Sequence, residues 1–307
     1  MDKEIETPLV SIVCDTYNQV NYIRQCLDGI LMQETNFPIE ILVHDDASTD
    51  GTADIVKEYE SRYPNLIKPI YQTENQYSKG VKVTLEYQYS RAKGKYIAFC
   101  EGDDYWIDPL KLQKQVDFLE ANQDYVLCTH HFSRYYQTRN RYEENRSTRV
   151  AVNRTFTIED YVLYNNWLTQ PLTALYRRES LNIRDLIIHP HMKDTILFYY
   201  ILKHGKGYLM NECMGVYRIH QGGVWSGGRT YEQAHSNISA IKSIYDIEHS
   251  AISVKYLYNC LYSQGYLGIS FFIRYRKLYI RVLLIFFQNL NLSTELTVLK
   301  RTLIYSK

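Results

Sequence analysis

An α/β fold is predicted for this chain: a mostly parallel sheet covered by helices on both faces, followed by a helical C-terminal extension. The first 130 residues alternate short apolar runs, rich in β-branched residues, with segments whose apolar residues recur at helical spacing. This alternation is typical of β-α-β units, in which the crossover helix makes consecutive strands parallel. In such sheets, ligands bind where the strands end at their carboxyl termini.

Five apolar runs predict the strands of the sheet. Their length of four to six residues fits strands that are buried on both faces, and they cover residues 9–14, 39–43, 66–71, 96–100 and 125–128.

Helix signals stand between these runs. Ile23, Leu27 and Ile30 fall on one helical face, and a second helix opens near Asp50 and stops before Pro64. A third helix is expected to end at Gly94, and Asp108-Pro109 is expected to cap a fourth. Further along, we expect a polar surface loop over residues 139–154, a helix over 191–204 and a flexible glycine-rich loop over 222–228.

Charge and cysteine content exclude several classes of protein. The formal net charge is +1, so no global field favours nucleic acid as a partner. None of the six cysteines forms a C-x-x-C pair, which argues against a zinc site and for a reduced, cytoplasmic chain. The first residues do not read as a signal peptide, and no apolar run is long enough to predict a transmembrane helix.

Polar side chains follow the first two predicted strands. Asp15-Thr16-Tyr17-Asn18 comes after the first, where a dinucleotide-binding fold would carry G-x-G-x-x-G, and could instead grip a base or a ribose. Asp46 follows the second strand and could accept hydrogen bonds from a base or a ribose. Alternatively these residues form an ordinary polar loop in which Ser48 and Asp50 cap the next helix.

A cluster of acidic residues follows the fourth strand. Glu101, Asp103 and Asp104 would repel one another unless a cation neutralised them, and oxygen ligands suit Mg²⁺ or Mn²⁺ bridging a diphosphate. The alternative is a solvated acidic turn. Asp194, at the start of an apolar helix, is either a first-turn residue or a catalytic carboxylate. His220 is either a structural histidine or an imidazole ligand that suits Mn²⁺.

Together these segments resemble family 2 glycosyltransferases, which have the GT-A fold. The similarity covers residues 7–228 and rests on the order and spacing of EILVHDDASTDGT, KGKYIAFCEGDDYWIDP and MGVYRIHQGG. It implies a catalytic domain over residues 1–230 and an extension over 231–307. Metal-binding roles are implied for Asp103, Asp104 and His220, and the role of general base for Asp194. Donor-binding roles are implied for Asp15, Thr16, Tyr17, Asn18, Asp46, Glu101 and Asp103.

Three features depart from the family pattern, and the first is that the segment from Lys79 to Ala92 lacks the asparagine often found in the donor-proximal helix. Glu101 stands where aspartate is usual, and Asp194 is followed by Thr195-Ile196 where many relatives have Trp-Pro. The resemblance implies metal-assisted, inverting transfer from a UDP- or dTDP-sugar to a saccharide or lipid-linked acceptor, as in bacterial surface-polysaccharide synthesis. The acceptor is expected to meet the C-terminal half and the loop near Trp225. A sugar nucleotidyltransferase would need a G-x-G-T-R loop after the first strand, and an inactive binding protein need not keep the carboxylates.

The C-terminal extension is basic. From Tyr231 onward it contains nine Lys and Arg residues against four Asp and Glu. Between Tyr266 and Leu290, aromatic and aliphatic residues are interleaved with Arg274, Arg276, Lys277 and Arg281. Such a helix can lie on an anionic membrane surface, which would place the protein at the inner face of the cell membrane. It can equally pack its apolar side on the catalytic domain or on a second subunit.

Overall fold

A computed structural model describes residues 7–145, 153–164, 168–223, 230–263 and 269–288. The chain divides into two compact units, residues 1–229 and 230–307.

The first half of the sheet is parallel. Strands β1 (Val10–Thr16), β2 (Ile39–Asp45), β3 (Ile67–Tyr71) and β4 (Tyr96–Phe99) lie in the order β3-β2-β1-β4. Helices α1 (Ile23–Leu31) and α2 (Thr52–Arg62) connect β1 to β2 and β2 to β3, as predicted. Because β1, β2 and β4 are largely buried, their apolar runs predict them well.

The remaining elements of the first unit extend this sheet with mixed pairing. They are β5 (Tyr105–Trp106), α3 (Lys111–Ala121), β6 (Tyr125–Tyr136), β7 (Arg141–Asn145), β8 (Arg154–Phe156), α4 (Ile158–Tyr164), β9 (Leu175–Arg177), α5 (Ile183–Ile187), α6 (Asp194–Leu202) and β10 (Lys206–Ile219). The sheet continues from β4 in the order β9-β6-β10-β5, with β7 on β6 and β8 on β10. Only β6 and β10 are parallel to each other in this half.

Several local predictions differ from the structure. Residues 141–145, predicted as loop, form β7, because the backbone of β6 continues to Tyr136 and pairs with this polar segment. The predicted helix ending at Gly94 is a π-helical turn over Thr84–Tyr89. Helix α3 starts at Lys111, so Asp108 does not cap it and instead accepts the amide of Leu110 at 2.8 Å.

The core lies between the sheet and its helices. Val10, Ile12, Ile41 and Ile97 are fully buried in the strands, and Trp106 is 1% exposed. Trp106 packs directly on helix α1, since a Cβ on Gly29 would come within 2.8 Å of the Trp106 carbonyl oxygen. A glycine is therefore required where α1 crosses β5, two residues after the acidic cluster.

The second unit is helical, as predicted. Helix α7 (Thr230–Glu248) packs on α8 (Ala251–Ser263), and α8 packs on α9 (Ile269–Gln288). Within the described residues, no helix has both the length and the apolar character needed to cross a membrane.

Candidate active site

Three loops meet at the carboxyl edge of the parallel strands. Since β1 pairs with both β2 and β4, residues 15–18, 45–50 and 101–104 emerge side by side. Backbone hydrogen bonds join them: the Asp46 amide donates to the Thr16 carbonyl at 3.0 Å, and the Gly102 amide donates to the Asp15 carbonyl at 3.1 Å. The structure therefore brings together the polar segments predicted to bind the donor.

Asp15 is supported by the π-helical turn. Its carboxylate accepts hydrogen bonds from Thr84 Oγ1 at 2.5 Å and from Gln88 Nε2 at 3.1 Å. Burial raises the pKa of Asp15, while these hydrogen bonds oppose the change. Both of its oxygens thus serve to fix the loop after β1.

The next residues of this loop point in different directions. Thr16 is buried and donates to Gln19 Oε1 at 2.7 Å, whereas the Tyr17 ring is 45% exposed. Asn18 has a φ of +52° and accepts the Thr49 amide at 2.8 Å, which ties the loop after β1 to the loop after β2. Of these residues, Tyr17 offers the open aromatic surface.

Asp46 and its neighbour Asp45 are both buried. The two carboxylate oxygens of Asp46 accept the amides of Gln76 at 2.8 Å and Tyr77 at 3.0 Å, so this side chain positions the segment after β3. Asp45 accepts the Ser48 amide at 3.1 Å with one oxygen, and its buried Oδ1 has no hydrogen-bond partner in the described chain.

Of the two predicted capping residues, Ser48 does not cap α2, whereas Asp50 does. Gly51, at a φ of +99°, is the N-cap of α2 and has no side chain, and the Asp50 carboxylate instead accepts the amide of Thr52, the first residue of the helix. Ser48 Oγ accepts the Asn18 amide at 2.9 Å, and Asp50 accepts the amides of Val20 and Thr52 at 3.0 Å each. Both side chains therefore connect the loops at the carboxyl edge.

The acidic cluster is confirmed as a group. One carboxylate oxygen from each of Glu101, Asp103 and Asp104 lies within 4.8 Å of the others. Burial and then the neighbouring charges of Asp103, Asp194 and Asp15 raise the pKa of Glu101 to about 8. Burial and the same kind of repulsion raise the pKa of Asp104 well above its usual range. A cluster of oxygen donors whose ionisation is suppressed in this way fits a hard divalent cation.

Strand β10 closes one side of this cluster. Asp104 is 2% exposed and accepts the Arg218 amide at 2.8 Å. His220 Nε2 lies 3.0 Å from Asp103 Oδ2, and its ring centroid lies 4.6 Å from that of Tyr22. The structure thus brings His220 to the acidic cluster, as the sequence predicted.

Asp194 is the first residue of α6, three residues later than the predicted start of that helix, and its carboxylate accepts the Thr195 amide at 2.9 Å. Its charge contributes to the raised pKa values of Glu101, Tyr89 and Tyr217, so it belongs to the same electrostatic site. Trp225 and the glycines at 227 and 228 lie outside the described residues.

Two side chains of the site were missed from the sequence. Tyr217 is half-buried, and burial together with the charges of the acidic cluster and Asp194 raises the pKa of its phenol far above its usual value. Arg218 is 6% exposed and contacts the main chain of the cluster. The only signal was their place in Y-R-I-H beside His220, because the strand itself was not predicted.

Comparisons with known proteins identify the group to which this site belongs. Residues 11–183 match the model of glycosyl transferase family 2. The putative teichuronic acid biosynthesis glycosyltransferase TuaG of Bacillus subtilis is 30% identical over 69% of this chain and 79% of its own length. An uncharacterized protein of Mycobacterium bovis is 34% identical over 78% of this chain and 69% of its own.

Solved structures share the fold. Staphylococcus aureus TarS 1–349 in complex with UDP-GlcNAc aligns with a TM-score of 0.62 at 18% identity, covering 91% of this chain and 80% of TarS. Mannosyltransferase PcManGT of Pyrobaculum calidifontis, in complex with GDP-Man and Mn²⁺, aligns with a TM-score of 0.56 at 17% identity, covering 91% and 81%. The predicted GT-A α/β fold is confirmed, and the chain belongs to glycosyl transferase family 2.

Proposed function

We propose that this protein transfers a sugar, with inversion, from a UDP- or dTDP-sugar to an acceptor hydroxyl. The observation that carries the proposal is the Glu101–Asp103–Asp104 cluster at the carboxyl edge of the sheet, with which the charge of Asp194 interacts. TarS bound to UDP-GlcNAc and PcManGT bound to GDP-Man support a nucleotide-sugar donor. Residues 1–230 form the catalytic domain in this proposal.

The donor lies against the loops after β1 and β2. The exposed ring of Tyr17 provides a surface on which a base can stack, and Thr16 and Asn18 form the loop around it. Asp15 and Asp46 fix this loop and the segment after β3 through their own hydrogen bonds. Each Asp46 oxygen keeps a second lone pair that can accept from a base N–H.

Mn²⁺ or Mg²⁺ would be held by Asp103, Asp104 and His220, beside a donor diphosphate that also meets Glu101. When bound, the ion supplies charge stabilisation to the departing nucleoside diphosphate. The imidazole of His220 suits Mn²⁺, the ion named in the PcManGT complex.

Asp194 acts as the general base. It takes the proton of the acceptor hydroxyl, whose oxygen forms a bond to the anomeric carbon as the bond from that carbon to the diphosphate oxygen breaks on the opposite face. The Tyr217 phenol, whose pKa burial and then the surrounding carboxylates raise, can donate a hydrogen bond within the site.

A donor screen tests this proposal. The purified protein is incubated with UDP-, dTDP- and GDP-sugars in Mn²⁺, Mg²⁺ or EDTA, and release of nucleoside diphosphate is measured. We expect metal-dependent release from UDP- or dTDP-sugars. Formation of a sugar 1-phosphate and a nucleoside triphosphate when pyrophosphate is added would instead show a sugar nucleotidyltransferase, and binding without turnover would show an inactive relative.

The pathway is part of the same proposal. TuaG is named as a putative enzyme of teichuronic acid biosynthesis, which supports polysaccharide or glycoconjugate synthesis with a saccharide or lipid-linked acceptor. Work on a lipid-linked acceptor would place this protein on the inner face of the cell membrane.

Helix α9 provides a surface for such placement. Tyr279 packs against Tyr258 of α8, and Val282 is fully buried. On the other side of the helix, Ile280 and Leu284 are 50% and 57% exposed. They lie beside Lys277 and Arg281, and α9 contains no acidic residue. One face of α9 thus packs within the helical unit, and in this proposal the opposite face contacts anionic lipid headgroups.

Co-sedimentation with vesicles tests the membrane contact. We expect binding to vesicles containing phosphatidylglycerol, weakened by high salt and by the double substitution Ile280→Ser with Leu284→Ser. The matched control is Ile247→Ser on α7, which is 42% exposed and should leave binding unchanged. Equal sedimentation with neutral and anionic vesicles, or no effect of the α9 substitutions, would leave only the packing role.

A further inference from the structure

Arg218 is a buried cation beside the acidic cluster for which the proposed reaction has no role. It lies on β10, two residues before His220, and its side chain is 6% exposed. Burying a guanidinium is costly unless its charge and its donors are compensated. The partners of Arg218 therefore indicate what it holds in place.

The hydrogen bonds of Arg218 join three elements. Its amide donates to Asp104 Oδ1 at 2.8 Å, and its Nε donates to the Asp103 carbonyl at 2.8 Å. Its Nη2 donates to Gln25 Oε1 on α1 at 2.6 Å. Arg218 thus binds the main chain of the acidic turn at Asp103, and the Asp103 carboxylate faces His220.

Aromatic rings complete the surroundings of the guanidinium. Its central carbon lies 4.9 Å from the ring centroid of Tyr22, 5.2 Å from that of Tyr105 and 5.5 Å from that of Tyr135. Tyr22 also contacts the His220 ring. Among the described residues, the guanidinium donates only to neutral groups, so its rings and hydrogen bonds fix its direction without occupying a carboxylate oxygen.

The acidic turn needs such support from outside. It contains Gly102, and one oxygen from each of its three carboxylates lies within 4.8 Å of the others, a separation at which like charges repel one another. Repulsion of this kind drives the carboxylates apart unless the backbone beneath them is fixed. Two hydrogen bonds connect the turn to β10: the Arg218 side chain donates to the Asp103 carbonyl, and the Arg218 amide donates to the Asp104 carboxylate.

We propose that Arg218 is a positioning residue that holds the acidic turn and His220 in the arrangement that binds a divalent cation. The inference rests on the proposed function, because it presupposes that the cluster takes such an ion. Its effect comes from the planar fork of the guanidinium, which a lysine ammonium cannot reproduce.

The test measures metal binding rather than turnover. Mn²⁺ affinity is determined from free Mn²⁺ by electron paramagnetic resonance, with UDP present, for wild type, Arg218→Lys and Arg218→Gln. Both variants should raise the Mn²⁺ dissociation constant by about 10- to 100-fold, the usual effect of losing a group that orients metal ligands. UDP affinity in EDTA should change less than about two-fold, because Arg218 contacts Tyr22 at the end of the loop after β1 and makes no hydrogen bond to residues 15–18 or 45–50 among the described residues.

Arg177→Gln is the matched control. Arg177 is also a buried arginine, 2% exposed, with bonds to the carbonyls of Tyr125 and Leu119 and a ring contact with Tyr96, but it lies away from the acidic turn on β9. The Arg177→Gln substitution should lower the melting temperature and leave Mn²⁺ affinity unchanged. If the Arg218 variants do not fold, Gln25→Ala removes one exposed acceptor of the guanidinium and should weaken Mn²⁺ binding about three-fold, a modest share of that orienting effect.

The outcomes separate the inference from the function on which it rests. Wild-type Mn²⁺ affinity in both Arg218 variants would overturn the positioning role of Arg218. Loss of Mn²⁺ affinity in Arg218→Gln alone would overturn it too, because it would show that the positive charge matters and the planar guanidinium does not. Stronger Mn²⁺ binding after either substitution also overturns it, since the charge of Arg218 would then only repel the ion. A wild-type protein that binds UDP but no Mn²⁺ refutes the metal part of the proposed function and this inference with it.

Discussion

Replacing Lys111 by methionine should stabilise the protein at neutral pH and change how its stability depends on pH. Lys111 begins α3 and is completely buried. Its ammonium lies 4.0 Å from the ring centroid of Trp106 and donates to Gln115 Oε1 at 2.8 Å, and no carboxylate among the described residues pairs with it. Burial lowers the pKa of Lys111 from 10.5 to about 7, opposed only by Cys100 and Cys128.

The sign and size of the effect on the free energy of unfolding follow from the difference in the pKa of Lys111 between the folded and the unfolded chain. The unfolded chain holds the proton up to a pH near 10.5, whereas the folded chain releases it near 7. The buried lysine therefore destabilises the protein most below pH 7, by about 5 kcal/mol at about 1.4 kcal/mol per pH unit, and this cost fades as the pH rises toward 10.5. Losing the bond to Gln115 offsets about 1 kcal/mol in the methionine variant.

Urea denaturation at pH 7 and pH 9 tests the reasoning. Lys111→Met should have the higher free energy of unfolding at pH 7, and its advantage over wild type should narrow by about 2 kcal/mol at pH 9. Lys57→Met, at a side chain that is 57% exposed, is the control and should show no such change. A difference between wild type and Lys111→Met that stays constant with pH would refute a depressed lysine pKa.

Three further substitutions address the site itself. Asp103→Asn should remove most of the gain in UDP affinity that Mn²⁺ gives, and calorimetry showing the same affinity with metal and with EDTA in wild type would contradict a metal site. Asp194→Asn should lower turnover by about 10²–10⁴ and leave donor affinity nearly intact, whereas wild-type turnover would assign the base elsewhere. Gly102→Ala should weaken UDP binding measured by calorimetry, because its Cβ would lie 2.3 Å from Gln19 Oε1 and 2.8 Å from Thr16 Oγ1; unchanged binding would show that this contact relaxes at no cost.

The parallel half of the sheet could be predicted because its signal is local. Strands β1, β2 and β4 are largely buried, so each contains an apolar run that stands out from the sequence around it, whereas β3, at the edge of the sheet, is only partly buried. The point where each apolar run ends also marks the carboxyl end of a parallel strand. Because these ends meet at one edge of the sheet, the sequence predicts that Asp15, Asp46 and the acidic cluster lie there.

The second half depends on pairing between distant segments. β7 has the sequence RYEEN, which has no strand signal of its own and is extended because it lies against residues 132–136 of β6. β10 has bulges where it pairs with β6, so its apolar pattern shifts face along its 14 residues. For that reason the sequence indicates His220, just after the strand, only through its imidazole and the family resemblance, and it indicates no role for Arg218 within the strand.

The acidic residues of the site differ in whether their carboxylates hold neighbouring segments by hydrogen bonds, and the sequence does not predict this difference. Asp15 and Asp46 use both carboxylate oxygens to hold neighbouring segments, and Asp104 uses one to hold β10. The carboxylate of Glu101 accepts no hydrogen bond from the residues described, and Asp103 meets only His220. Substitution of Asp15 or Asp46 should therefore disturb the loops as well as donor binding, so a loss of activity there does not identify a contact with the nucleotide. Glu101 and Asp103 are the positions at which a carboxylate can be neutralised with least change to the scaffold, and they are where the chemistry of the cluster is best separated from its folding.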